Sequence, residues 1–327
     1  MIGRFLAIGL ALASMINQAQ AQERIVLRMG VIANSAKSIS QLGLNIAQKR
    51  GFLARQGINL QLVPLPGVQH QVEALDKGLV DVSHTATPYL IENVLAGSDN
   101  VAIVGGLANP VFAILAKPEI KSYADLRGKM IGMSLPVDTI TIGTEMLLQK
   151  AGLQKGDYQV QTLIGTPVRV ACLEQNKCDA VPVGQPDDLT LLTKGYVNLG
   201  NSLEVIPHLQ FNVIAARRSW AANHREIVMR YVHAFGAAYS YMADPAQKAD
   251  VIKLISETTD ASPEIAQKIY EFYFEPPRGI MPKQAAIDMQ GMTAVIEMMG
   301  RIGVLTGTAP DASRFVDLQY LKAAGFQ

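Results

Sequence analysis

Cysteine is almost missing: Cys172 and Cys178 are the only two in 327 residues. That excludes a disulfide-dense scaffold and any cluster of thiolate ligands. A C-x5-C pair without a neighbouring histidine fits neither the usual zinc spacing nor the usual redox spacing, so one disulfide and two free thiols both remain open. With no cysteine before Cys172, no lipid-modified cysteine can follow the N-terminal segment. Charge is sparse too. Charged residues make up 17% of the chain and balance to a formal net charge of +1, leaving no global basic footprint for nucleic acid. The five histidines are scattered, with no H-x-x-x-H pair, so no metal or other cofactor is expected. No glycine cluster has the G-x-x-x-x-G-K-[ST] form, and no Ser/His/Asp or Cys/His set has a recognisable spacing. Beyond residue 25 no apolar run reaches the roughly 18 residues of a membrane span.

What is present is a well-filled globular composition, 49% hydrophobic, long enough for two domains of roughly 100 to 200 residues. The first 21 residues stand apart. Met1-Ile2-Gly3-Arg4 supplies a positive start, Phe5 to Ile16 an apolar run, and Ala19-Gln20-Ala21 a small-residue site. This pattern predicts a secretory signal cleaved after Ala21, with Gln22 as the mature N-terminus and the periplasm as destination.

The mature chain states one pattern twice. An apolar strand (25–32) opens into Ala33 to Ser38, a helix runs to Arg50, and Gly51 stops it; Met130 to Met133 opens into Ser134 to Thr139, a helix runs to Ala151, and Gly152 stops it. Each copy closes on a similar phrase. Val72-Glu73-Ala74-Leu75-Asp76-Lys77-Gly78 precedes Val80-Asp81-Val82, and Val170-Ala171-Cys172-Leu173-Glu174-Gln175-Asn176 precedes Cys178-Asp179-Ala180. Strands alternating with helices predict two mostly parallel α/β lobes with a cleft between them. Strands are expected at 58–63, 80–83 and 101–105 in the first lobe and at 129–133, 159–164 and 180–183 in the second. Extended runs at 109–115 and 211–216 would carry the chain across and back. Helices follow at 220–242, 246–257, 263–274 and 282–300, and Pro276 to Gly279 reads as a rigid connector.

Ligands of open parallel sheets sit beyond the carboxyl ends of the strands. The loops to inspect are therefore 34–38, 66–69 and 85–87 in the first lobe, and 134–141, 165–167 and 184–186 in the second. They are rich in hydroxyls and begin helices, whose free N–H groups favour an anion; the same residue types are also ordinary helix caps. Lys37 and Arg169 would add positive charge. His70, His84, Asp187 and Asp188 lie near these loops, but hydrogen-bonded structural histidines and acidic residues at a helix start explain them without chemistry. Tyr89 and Phe112 are the nearest aromatic candidates, with core packing the simpler role.

Several phrases carry a family likeness: Val72-x-Ala74-Leu75-x-x-Gly78-x-x-Asp81-Val82, Tyr123-x-Asp125-Leu126-Arg127-Gly128-Lys129-x-Ile131-Gly132, and Cys178-Asp179-Ala180. Together with the exported start, they make the chain resemble the nitrate/sulfonate/taurine type of periplasmic substrate-binding protein, in the superfamily of the thiamine-pyrimidine precursor proteins. The resemblance implies an α/β type II periplasmic binding protein fold, two Rossmann-like lobes joined by a two-segment hinge. Lobe one would comprise 22–109 and 216–327, and lobe two 110–215. It implies a monomer that closes on a small organic anion, a sulfonate or carboxylate, and delivers it to an ABC permease and its ATPase. The family's ligand loops fall on Asn34, Ser35, Lys37, Gln69, Thr85 and Thr87 in lobe one, and on Ser134, Asp138, Thr139, Thr166 and Gln185 in lobe two. Val181 to Pro186 departs from the aromatic and acidic stretch often found there, which points to a different substrate. Two alternatives stay open: a pyrimidine-precursor-type enzyme, and the ligand-binding subunit of a membrane sensor.

Overall fold

Two five-stranded sheets carry the structure, a computed structural model that describes residues 25–33, 37–109, 112–276, 280–282 and 284–326. The expected signal segment and the Pro277 to Gly279 part of the connector lie outside these residues. The chain begins β1 (Ile25–Ile32), α1 (Leu42–Lys49), α2 (Phe52–Arg55), β2 (Ile58–Leu65), α3 (Val68–Asp76), β3 (Val82–Ala86), α4 (Thr87–Leu95), β4 (Asn100–Gly105). The second sheet is built from β5 (Phe112–Ala116), β6 (Met130–Met133), α5 (Thr139–Lys150), β7 (Gln159–Thr162), α6 (Thr166–Glu174), β8 (Ala180–Gly184), α7 (Asp187–Thr193) and β9 (Val197–Asn201). The chain then continues through β10 (Asn212–Arg217), α8 (Arg218–Asn223), α9 (Arg225–Ala243), α10 (Lys248–Thr259), α11 (Pro263–Phe274), α12 (Met289–Arg301) and α13 (Gln319–Ala323).

The strand orders are β2-β1-β3-β10-β4 and β7-β6-β8-β5-β9. Each sheet thus has the same plan: the repeat contributes four strands, and one antiparallel strand, β10 or β5, sits between its third and fourth. The sequence expected 109–115 and 211–216 to be crossing segments. Most of each is instead a sheet strand, because five consecutive buried residues in β5 and in β10 are placed best between two partners. The segments before β5 and β10 are linked by hydrogen bonds: Leu209 N–H donates to Asn109 Oδ1 (2.9 Å), and Leu107 N–H donates to Oδ1 of Asn212, the first residue of β10 (2.7 Å).

The repeated aspartates have a structural role at the amino ends of the strands. Asp81 accepts from Arg28 N–H (2.8 Å) and the Arg28 guanidinium. Asp179 accepts from Met130 N–H (2.9 Å) and Lys117 Nζ (2.8 Å). Each pins the start of the third strand of its repeat to the first. Gly78 and Asn176, which end the preceding helices, take the left-handed conformation with φ of 66° and 58°, a place where glycine and asparagine are the residues tolerated best.

Lobe-one strands and the C-terminal helices share one core, with α9 against α1, α2 and α13, α10 against α1, and α12 against α4. The second sheet is covered on one face by Ile114, Ile131, Met133 and Leu147 and on the other by Leu115, Leu173, Val181 and Leu191. Cys172 and Cys178 form a disulfide, Cα atoms 5.2 Å apart, joining α6 to the start of β8. The helix expected over 282–300 begins only at Met289. Ahead of it, Ala285 O accepts from Gly105 N–H (2.9 Å) and Asp288 N–H donates to Gln210 Oε1 (2.7 Å). A Cβ on Gly105 would meet Ala286 O at 1.8 Å, so glycine is required for this approach.

Candidate ligand-binding cleft

The first and third strands of each repeat pair only briefly: β1 with β3 at Met29↔Val82 and Gly30↔Ser83, β6 with β8 at Ile131↔Ala180. β1 and β3, and β6 and β8, pair no further among the described residues, and the carboxyl ends of these strands, where the strand order reverses, are the expected ligand crevice of such sheets. One long polar side chain enters each crevice. Gln71, from α3, donates through Nε2 to His84 O. Arg169, from α6, donates through Nε to Pro182 O (2.8 Å), through Nη1 to Leu163 O (3.3 Å) and through Nη2 to Thr166 Oγ1 (3.1 Å). Both side chains belong to residues only 1% exposed.

Arg169 is a buried cation whose hydrogen-bond partners among the described residues are all neutral oxygens. Burial lowers its hold on the proton, and the more distant charges of Asp138 and Asp187 act against that. A guanidinium has five N–H donors, so two remain for a further acceptor. Burying such a charge without an anion is costly, and an anionic ligand would relieve the cost.

Around the crevices are hydroxyls left without partners. Thr85, Thr87 and Tyr89 on the first-lobe side and Thr139 on α5 are all buried, and none of their side-chain oxygens has a hydrogen bond among the described residues; the same holds for Thr141, which lines a separate cavity with Lys155 and Tyr158. Natively buried polar atoms are nearly always paired, so these call for a ligand or water. Burial pushes the Tyr89 hydroxyl well above its ordinary range, and the charges of Asp138 and Glu92 push it further. Asp138, the N-cap of α5, thus acts electrostatically on Tyr89 of α4. A direct link crosses at the rear. Tyr273 OH donates to Gln185 Oε1 (2.9 Å), and Gln185 Nε2 donates to Asp188 Oδ2 (2.6 Å).

The expected site residues divide accordingly. Thr85, Thr87 and Thr139 carry the unpartnered hydroxyls. Ser134 is buried and donates to Asp138 Oδ2 (2.7 Å), while Asp138 caps α5 through Ile140 N–H (3.3 Å). Thr166 supports Arg169, and Gln185 is committed to Tyr273 and Asp188. Gln69 is exposed on the first turn of α3. Lys37 is 71% exposed at its side chain and paired with Asp260. Asn34 and Ser35 lie outside the described residues. Sequence reasoning left out Gln71 and Tyr273, reached Thr141 only as the end of the 134–141 loop, gave Tyr89 to the core, and saw Arg169 only as nearby charge. Phe112 is core, its ring packed on Gly143. Gln41 Nε2 donates to His84 Nδ1 (3.1 Å), and burial lowers the His84 pKa, favouring the neutral ring. With an amide N–H as neighbour, Nδ1 is the acceptor.

Residues 39–249 match the NMT1/THI5 like family, well over half of the chain. The chain belongs to that family. Among curated relatives of this NMT1/THI5 like protein is one named as a binding protein in Brucella abortus (strain 2308), 27% identical over 274 residues, 81% of this chain and 82% of the relative. Among solved structures, the nitrate-binding protein NrtA of Synechocystis PCC 6803 has a TM-score of 0.74 at 16% identity, covering 92% of this chain and 88% of its own. The alkanesulfonate-binding protein SsuA of Xanthomonas axonopodis pv. citri, bound to MOPS, has a TM-score of 0.69 at 18% identity, covering 88% and 97%. The desulfurization enzyme DSZB has 0.66 at 14% identity, covering 92% and 99%. The fold of the NMT1/THI5 like chain is therefore the two-lobe type II periplasmic binding protein fold. Among the described residues no helix is long and apolar enough to cross a membrane, and no three His, Cys, Asp or Glu side chains group at metal-binding distance.

Proposed function

We propose that this protein is the solute receptor of an ABC importer, holding a small organic anion, a sulfonate or carboxylate, between its two lobes. The observation that carries the reading is Arg169, a buried guanidinium with spare donors and, among the described residues, only neutral hydrogen-bond partners. The unpartnered hydroxyls of Thr85, Thr87, Tyr89 and Thr139 would complete the solute's hydrogen bonds from both sides. Lobe one comprises 22–109 and 216–327, lobe two 110–215, and the crossings before β5 and β10 act as the hinge. A solute that bridges the lobes stabilises the closed form by its preference for it. The protein works as a periplasmic monomer after removal of residues 1–21, and passes its solute to a permease and its ATPase. Support comes from the family, from the relative named as a binding protein, and from the likeness to nitrate- and sulfonate-binding proteins.

The test is native mass spectrometry of protein purified without refolding, followed by thermal-shift screening of sulfonates, carboxylates and nitrate. A retained or stabilising small anion recovered unchanged supports the reading. An anion recovered as a different compound contradicts it in favour of an enzyme, a chemistry the DSZB likeness shows this fold can host.

A further inference from the structure

The two crevice residues occupy the same place in the two repeats, yet differ in charge. Gln71 directly precedes Val72, and Arg169 directly precedes the matching Val170; His84 and Pro182 each come three residues after the matching Asp81 and Asp179. The contact is matched as well, a side-chain donor given to the carbonyl of the third strand: Gln71 Nε2 to His84 O, and Arg169 Nε to Pro182 O. Lobe two therefore presents its crevice as a cation with only donors to offer.

Lobe one presents the opposite. Because Gln71 Nε2 faces a carbonyl, its amide orientation is fixed, and Oε1 is the atom left buried without a partner among the described residues. An amide oxygen can only accept. It is satisfied by an N–H or O–H, and a carboxylate or sulfonate placed there would set oxygen against oxygen.

Resting on the anion reading above, we propose that the solute is a monoanion carrying a neutral donor, a primary amide or a hydroxyl, at its other end. Arg169 takes the anionic end and Gln71 Oε1 the donor end. The closed cleft then reads the solute's polarity as well as its charge. An analogue that keeps the anion and loses the donor leaves Oε1 buried and unpaired, which costs about tenfold or more in affinity.

The experiment is calorimetry on the full mature protein with matched probes in which a terminal NH2 or OH becomes CH3. Suitable pairs are succinamate with levulinate, 4-carbamoylbenzoate with 4-acetylbenzoate, and 3-hydroxypropanesulfonate with butanesulfonate. The donor-bearing member of a bound pair is expected to bind at least about tenfold tighter. Gln71→Arg installs the residue of the other repeat, keeps a donor for His84 O, and should move preference from succinamate to succinate. Pairs that bind within twofold of each other, or a folded Q71R protein that still prefers succinamate, overturn the donor assignment and leave the anion reading standing. No binding by any probe overturns both. If Q71R does not fold, the wild-type pairs decide.

Discussion

Replacing Arg169 with glutamine separates its part in the fold from its part in binding. Glutamine keeps one donor for Pro182 O, as Gln71 already does for His84 O in the other repeat. It gives up the bonds to Leu163 O (3.3 Å) and Thr166 Oγ1 (3.1 Å). Two such bonds to neutral acceptors are worth about 2 kcal/mol together. Removing a buried cation that has no anionic hydrogen-bond partner among the described residues offsets part of that loss. The ligand-free protein should therefore lose less than about 2 kcal/mol, read as a small shift in the midpoint of urea unfolding. Binding has no such compensation. Loss of a charge-assisted hydrogen bond to the solute costs about 1.5 to 3 kcal/mol, roughly a tenfold to hundredfold weaker dissociation constant by calorimetry. Affinity unchanged within twofold, in a variant that unfolds like the parent, would refute the reasoning.

Other consequences concern the frame. Burial pushes the Asp179 carboxyl up, but the Lys117 hydrogen bond, the Met130 N–H and the charges of Lys117 and Lys129 outweigh it and hold the group below the ordinary range. Its contribution is therefore present above the unfolded carboxylate pKa and is lost as pH falls through the lower folded value. Asp179→Asn should cost about 1 to 3 kcal/mol at pH 7 and much less near pH 2, measured by chemical unfolding at both. Asp188 has the opposite sign. Burial raises its pKa to about 7 despite the Leu189 N–H and the Gln185 amide. The folded state thus holds a proton that the unfolded chain has released, and this group's contribution falls as pH rises from the ordinary carboxylate range to about 7. Asp188→Asn should remove that slope, read by chemical unfolding across the acid to neutral range; equal slopes in the two proteins would count against it. Opening the Cys172–Cys178 bridge by double replacement with serine releases a short loop, six residues apart in sequence, and should cost about 2 kcal/mol. Loss of stability with no loss of solute affinity is expected, since the bridge lies at the far end of α6 from Thr166.

Much of the frame could be read from the sequence because its signals are local. β1 occupies the expected 25–32, an apolar run rich in branched residues, and α11 the expected 263–274, where Ser262 caps Ile265 N–H (3.3 Å) and Pro263 opens the helix. β9 was missed, since Val197–Asn201 is a short, polar edge strand. β3 runs 82–86 and not 80–83, because Asp81 is turned toward Arg28 and the polar His84 and Thr85 pair with β10. Long-range contacts account for what was invisible at the site. Gln69 and Gln71 look alike in sequence, and only the phase of α3 sends one outward and the other into the crevice. Lys37 meets Asp260, 223 residues further along the chain. The repeat itself held the missing signal, since aligning the two valines places Gln71 opposite Arg169.

The most direct test of a solute held between the lobes is a crystal structure with the anion that gives the largest thermal stabilisation. The account predicts its carboxylate or sulfonate oxygens within hydrogen-bond distance of the Arg169 Nη atoms, with both lobes in contact with the same molecule. The anion bound on one lobe alone, or away from Arg169, would contradict it.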